Sequence, residues 1–275
     1  MSCPARHPAT GGRPRRPGPV VVALVAAAAL AVVASACGGA APRPTASHLS
    51  RPAPPVSTTT TVARPVDPRT ALDLAPWATV VARALVPQVP VYPAPGSAAA
   101  SSRLSNPNNL GAPLVFRVTL VDGPWLQVML PVRPNGATGW IQRSAVQLFD
   151  DSYRVVVHLD SHSLVLMDDG AVIETHPVIV GMPSAPTPTG DFYVTELLKA
   201  PDPNGPYGPY AFGLSGFSDT YSEFDGGPGQ IAIHGTDQPG LMGQNASHGC
   251  VRVTNDVVSH LATVLPLGSP VLITA

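Results

Sequence analysis

The sequence predicts a mainly β protein: a small five-stranded barrel over residues 76–150, then a second β domain over 153–275 that carries one helix. Two observations lead there. From Ala78 onward, short runs rich in β-branched and aromatic residues alternate with clusters of Pro, Gly and Asn. Only one convincing stretch, Val257 to Leu265, spaces its apolar residues as a helix does. In the first domain ATVVARAL, VPVYPAP, PLVFRVTLVDG, PWLQVML and TGWIQRSAV are the strands, and Pro134-Asn135-Gly136 is a turn between two of them. In the second, YRVVVHLDSHSLVLMDDGAVIETHPVIVG is a β-meander with a hairpin turn at Asp168-Asp169-Gly170. GDFYVTEL is a further strand, and GQIAIHG places His234 at or just past a strand end. Thr254, Asn255 and Asp256 are N-cap candidates for the helix, Pro266 and Gly268 end it, and PVLITA closes the domain. About 120 residues suffice for a core.

Residues 1–37 read as an export signal. Arg6, Arg13, Arg15 and Arg16 precede Val20–Ala34, a run without polar side chains that is shorter than the ~20 residues of a spanning helix. Ala34-Ser35-Ala36-Cys37-Gly38 resembles a bacterial lipobox, with Ala34 where Leu is preferred; the same residues also satisfy ordinary signal cleavage. The expectation is an exported protein at the outer face of the cell membrane or in the cell wall, anchored to the membrane by lipid on Cys37. Residues 38–75, rich in Pro, Thr and Ala, read as a disordered tether.

Beyond Cys3 and Cys37 the chain has one cysteine, Cys250, in IHGTDQPGLMGQNASHGCVRV. An unpaired thiol in an exported domain needs a reason. His248 and His234 supply one, since an imidazole can generate the thiolate that attacks a carbonyl. Three other readings stay open: a buried core thiol, a purely structural loop, and His234, His248 and Cys250 as zinc ligands. The Gly/Pro-rich segment with Tyr207, Tyr210, Phe212, Glu223, Asp225 and Gly226 is either a substrate-covering loop or a plain surface excursion. His158 and His162 flank a turn and are expected to face solvent, as is His260; His176 and His48 carry no motif.

His234-Gly235-Thr236, then Ser247-His248-Gly249-Cys250-Val251-Arg252 and a following Asn, resembles the signature of the L,D-transpeptidase (YkuD) catalytic domain. PTPTGDFYV and the segment Leu261 to Val271 match further elements of that family; Val253 stands where Met or Leu is commoner. WLQVMLPVRPNGATGWI resembles the SH3-like domain that often precedes it in actinobacterial cell-wall transpeptidases. The resemblance implies an SH3-like barrel followed by an L,D-transpeptidase-type β-sandwich. It makes Cys250 the nucleophile and His234 the general base, whose ring a backbone carbonyl, that of Gly235, orients where many members carry Ser. His248 is a supporting residue. Gly249 and Cys250 N–H groups are oxyanion donors, with Ser247, Arg252 and Tyr207 on the substrate side. No metal or cofactor is implied. The partners are peptidoglycan stem peptides, with carbapenem-type β-lactams as inhibitors, and the product is a 3→3 cross-link. Alternatives are an L,D-carboxypeptidase, an anchoring enzyme that passes the acyl group to another protein's amine, or a non-catalytic peptidoglycan-binding lipoprotein. A formal net charge of −1 with 12% charged residues excludes a basic nucleic-acid footprint.

Overall fold

The computed structural model describes residues 64–275; the export signal, Cys37 and the tether to residue 63 lie outside the described residues. The described residues belong to one compact unit. Its N-terminal part holds β1 (Thr79–Ala84), β2 (Gln88–Val91), β3 (Ser102–Ser105), β4 (Val115–Asp122), β5 (Trp125–Met129), β6 (Thr138–Gln142) and β7 (Val146–Asp151). Five of these form an antiparallel sheet in the order β6-β5-β4-β1-β7, while β2 and β3 pair as a hairpin. Tyr92, just past β2, exchanges two backbone hydrogen bonds of 2.8 and 2.9 Å with Trp140, which joins the hairpin to the β6 edge. Strands β3 and β7 had no clear signal: β3 is a polar, mostly exposed SRLS, and β7 runs into two aspartates. Pro134-Asn135-Gly136 does make the turn, closed by Ala137 N–H to Pro134 O at 3.1 Å.

The tether expected through residue 75 needs correction over its last stretch. Val66 exchanges two 2.9 Å backbone hydrogen bonds with Val121, adding a rung beside β4. The helix α1 (Pro68–Ala71) follows, with Asp67 Oδ1 accepting Arg69 N–H at 2.8 Å and Pro68 at the start. Composition hid this because a capping Asp and a Pro with preset φ start a helix without needing apolar residues.

The C-terminal part holds β8 (Tyr153–His158), β9 (Ser163–Asp168), β10 (Ala171–Pro177), β11 (Val180–Gly181), β12 (Gly190–Lys199), β13 (Tyr210–Phe217), β14 (Gln230–His234), β15 (Asn245–Ser247), β16 (Val251–Arg252), α2 (Asn255–Val264) and β17 (Pro270–Thr274). Eight strands form one sheet in the order β10-β9-β8-β17-β12-β13-β14-β16, and β11 pairs with β15. Asp169 and Gly170 both take positive φ, 48° and 78°, the backbone of a two-residue hairpin turn between β9 and β10. The core gathers Val155, Leu166, Phe212, Ile233, Val251 and Leu261, all at most 1% exposed, so α2 is bound to the sheet through its apolar stripe.

Tyr193 of β12 joins the two sheets. It is fully buried against Val81, Val115 and Met129, and its hydroxyl donates toward Val115 O (3.3 Å) and Met129 O (3.2 Å). Asn135, at the tip of its turn, pairs like a strand residue with Phe217, donating to its carbonyl and accepting from its N–H, both at 2.8 Å. Arg133 donates to the carbonyls of Ser218 and Tyr221. The N-terminal sheet thus braces the segment after β13. Tyr193→Phe should lower the unfolding free energy by about 1–2 kcal/mol, since buried carbonyls lose a donor; urea unfolding measures it.

Candidate active site

In a sheet, successive side chains alternate faces and in-register neighbours share one, about 4.8 Å apart. Phe212 pairs with Ile233, and Ile233 with Val251; these three face the core. The next residues along therefore face the other way. Leu198, Ala211, His234 and Arg252 form one row across β12, β13, β14 and β16, and Glu196, Gly213 and Ala232 form the adjacent row. Cys250, one residue before β16, lies on the face of Arg252 and continues the second row beside Ala232. The sheet thereby brings Cys250 and His234 onto one face, in adjacent rows of adjacent strands.

His234 is 2% exposed, and its Nδ1 lies 2.6 Å from Gly235 O. A carbonyl only accepts, so Nδ1 carries the proton and Nε2 is left with the lone pair. Burial depresses the imidazole to about 4; the Gly235 bond works against that and the Arg252 charge adds to it. Burial raises the Cys250 thiol above its ordinary value, opposed by the Ala232 hydrogen bond and the Arg252 charge. The resting pair at neutral pH is therefore a thiol and a neutral imidazole, and no hydrogen bond joins them among the described residues. Such a pair makes its thiolate during attack, by proton transfer.

Gly235 is held in place by its surroundings. A Cβ there would collide with Asn255 Oδ1 and come within 2.9 Å of Gly208 Cα. Asn255, the first residue of α2, accepts Thr236 N–H at 2.8 Å and so fixes the turn that presents the Gly235 carbonyl. Its side chain serves the site, not the helix cap, and Thr254 occupies the cap position.

In the cysteine loop, Gly249 N–H donates to Ser247 Oγ at 3.1 Å. The buried Ser247 hydroxyl donates in turn to Cys250 O at 2.6 Å and so staples the loop. Gly249 still requires glycine, with φ at +119°.

The remaining residues are brought close in different ways. His248 is exposed and packs its ring 5.3 Å from Phe224 and 6.3 Å from Tyr221. That arrangement does not assemble a zinc site from the three residues, and among the described residues no three His, Cys, Asp or Glu side chains converge as a metal-holding group. The Tyr207 ring lies 5.0 Å from the His234 ring, and its hydroxyl donates to Asp225 Oδ2 at 2.7 Å. Burial first, then the Asp225 bond, push this phenol up to about 12, so it stays a donor. The Tyr207–Asp225 bond ties the two loops that flank β13 over the site. Arg252 has its Nε buried without a hydrogen-bond partner. A cavity of about 450 Å³ runs beside these residues, lined by Tyr207, Phe224, Ala211, Gly213, Ala232 and Glu196.

Other histidines have partners of their own. His158 meets Thr274 Oγ1 and His162 meets Asn245 Oδ1, so neither is simply solvated as expected. Glu174 meets both His176 and His260 at 2.8 Å, and His260 is exposed as expected. Asn255 was visible only as a cap candidate. Glu196, with Gln230 and Asn108, carried no signal, because cross-strand register and the loop before β4 bring them together.

Residues 152–273 match the model of the YkuD family, the L,D-transpeptidase catalytic domain. The YkuD protein of Bacillus licheniformis, assigned as an L,D-transpeptidase, is 34% identical over 122 residues; the match covers 44% of this chain and 66% of that protein, just under two thirds. YqjB of Bacillus subtilis, assigned likewise, is 33% identical over 131 residues, with 44% of this chain and 70% of that protein covered. The crystal structure of an Enterococcus faecium L,D-transpeptidase mutant aligns at 22% identity over 45% of this chain and 50% of that one, with a TM-score of 0.36.

The raised thiol has a direct readout. Alkylation of Cys250 by iodoacetamide should be slower at pH 7 than that of an unperturbed peptide thiol, and still rising with pH beyond the ordinary thiol value of 9.0. The sign follows because only the thiolate reacts and a raised pKa shrinks its fraction.

Proposed function

Since this chain belongs to the L,D-transpeptidase family through a YkuD-type catalytic domain, we propose that it is a cysteine acyltransferase that cross-links peptidoglycan. Cys250 Sγ attacks the carbonyl of the third residue of a tetrapeptide stem as its proton passes to His234 Nε2. The oxyanion forms beside the Cys250 N–H and collapses, expelling the terminal D-Ala, whose amine takes the proton from His234. The thioester is then attacked by the side-chain amine of the third residue on a neighbouring stem. His234 accepts that proton, the thiol leaves, and a 3→3 cross-link remains. Arg252, buried at Nε without a partner, fits a substrate carboxylate. His248 acts as a wall of the site with Phe224.

The observation that supports this reading most is the shared face of Cys250 and His234, with the imidazole held neutral and Nδ1 committed to Gly235 O. An N–H on Nδ1 leaves Nε2 free to serve as base and then acid, as a catalytic imidazole must. We also read residues 1–37 as an export and lipid-anchoring signal through Cys37, and residues 76–150 as an SH3-like spacer. On this reading the reaction takes place at the outer face of the membrane.

Incubation with purified disaccharide-tetrapeptide, followed by mass spectrometry, tests the proposal. The expected product is a dimer lacking one D-Ala, absent with Cys250→Ala. His234→Ala should lower turnover by about 10²–10⁴-fold. Tripeptide alone would make water the acceptor and the protein an L,D-carboxypeptidase. Untouched substrate with a folded protein would overturn the reading. Carbapenem-type β-lactams should add to wild type and not to Cys250→Ala.

A further inference from the structure

The row of the site face that ends at Cys250 begins at a buried carboxylate. Glu196 pairs with Gly213, Gly213 with Ala232, and Ala232 neighbours Cys250. A bulge at Thr195 turns Glu196 onto this face. Its carboxylate lies over Gly213, where any Cβ would collide with Oε1, so the acid reaches toward β14 along the row. The two small residues between leave a trough.

Glu196 is 2% exposed. Each oxygen has one neutral donor: Gln230 Nε2 to Oε1 at 2.6 Å and Asn108 Nδ2 to Oε2 at 2.9 Å. None of the ion pairs among the described residues includes it. Burial pushes its carboxyl above the usual range, the mark of a charge that lacks a compensating cation. Two amide donors leave part of its capacity of about four acceptor sites unused. The cavity it lines is otherwise largely apolar, with Leu198, Pro201, Ala211, Phe224 and Ala232 along its walls. Lys199, at its exposed rim, does not pair with Glu196.

A buried carboxylate at the end of an apolar trough fits a ligand with a methylene chain tipped by a cation. From above Gly213 to Cys250 is about two interstrand spacings, on the order of 10 Å.

We propose that Glu196 holds the side-chain ammonium of the donor residue whose carbonyl Cys250 attacks, and so selects a diamino acid there; this rests on the acyl-transfer reading above. Gln230 and Asn108 position the carboxylate. Glu196 is a specificity determinant and takes no part in proton transfer to or from the thiol.

Two synthetic disaccharide-tetrapeptide donors test this, one with the natural diamino acid at the third position and one with a methyl group replacing its terminal ammonium. D-Ala release, followed with one common acceptor amine in excess because the methyl donor carries none of its own, gives kcat/KM for each. Wild type should favour the ammonium donor about tenfold or more, through a charge-assisted hydrogen bond that the methyl cannot make. Glu196→Gln should bring that ratio to near one, chiefly through KM, with thermal melting confirming a folded variant. A wild-type ratio near one overturns the proposal without any variant, and so does a folded Glu196→Gln that keeps the wild-type ratio. Release of D-Ala from neither donor by wild type overturns the acyl-transfer reading itself, and this inference with it.

Discussion

The register of four strands is the constraint on which the site depends. Pairing of Phe212 with Ile233 and of Ile233 with Val251 commits one face of β13, β14 and β16 to the core. Alternation then leaves Ala211, Gly213, Ala232, His234, Cys250 and Arg252 on the opposite face. A slip of one residue would exchange the two sets, burying a histidine and an arginine in the core and exposing its isoleucines. Hydrophobic burial thus fixes where His234, Cys250 and Arg252 stand. Tyr193, Asn135 and Arg133 add to this from the N-terminal sheet, clamping β12 and the segment after β13.

Electrostatics within that face favour neutral partners at rest. Burial raises the thiol and lowers the imidazole, and each shift opposes a preformed ion pair. Arg252 acts on both in one sense, aiding the thiolate and disfavouring a second cation at His234. The backbone supplies the orientation that a carboxylate gives in many triads: Gly235 O sets the imidazole tautomer without adding charge. Asn255 holds that carbonyl in place, and the Ser247 hydroxyl bridges Gly249 and Cys250, so neither loop needs a charged group of its own.

Much of this was legible in the sequence. Apolar alternation in QIAIH placed His234 on a strand end, and the spacing of Val257, Val258 and Leu261 gave α2. What escaped has physical reasons. The short β3 and β7 have too few apolar residues for a periodic signal. The helix at Pro68 depends on a cap, and caps are local hydrogen bonds with no periodicity. The bond from Gly249 N–H to Ser247 Oγ carried no signal, because loop hydrogen bonds are not encoded in residue type. Glu196 stood in a strand rich in apolar residues and meets Gln230 and Asn108 only after three distant segments assemble.

The central claim is that the His234 imidazole is neutral at physiological pH, with its proton on Nδ1. Nitrogen-15 NMR of the His234 ring, assigned by comparison with His234→Gln and titrated between pH 3 and 8, tests it most directly. The account predicts an Nδ1–H tautomer that takes its second proton only near pH 4. A ring that titrates at or above its ordinary 6.5, or that carries its proton on Nε2, would contradict it.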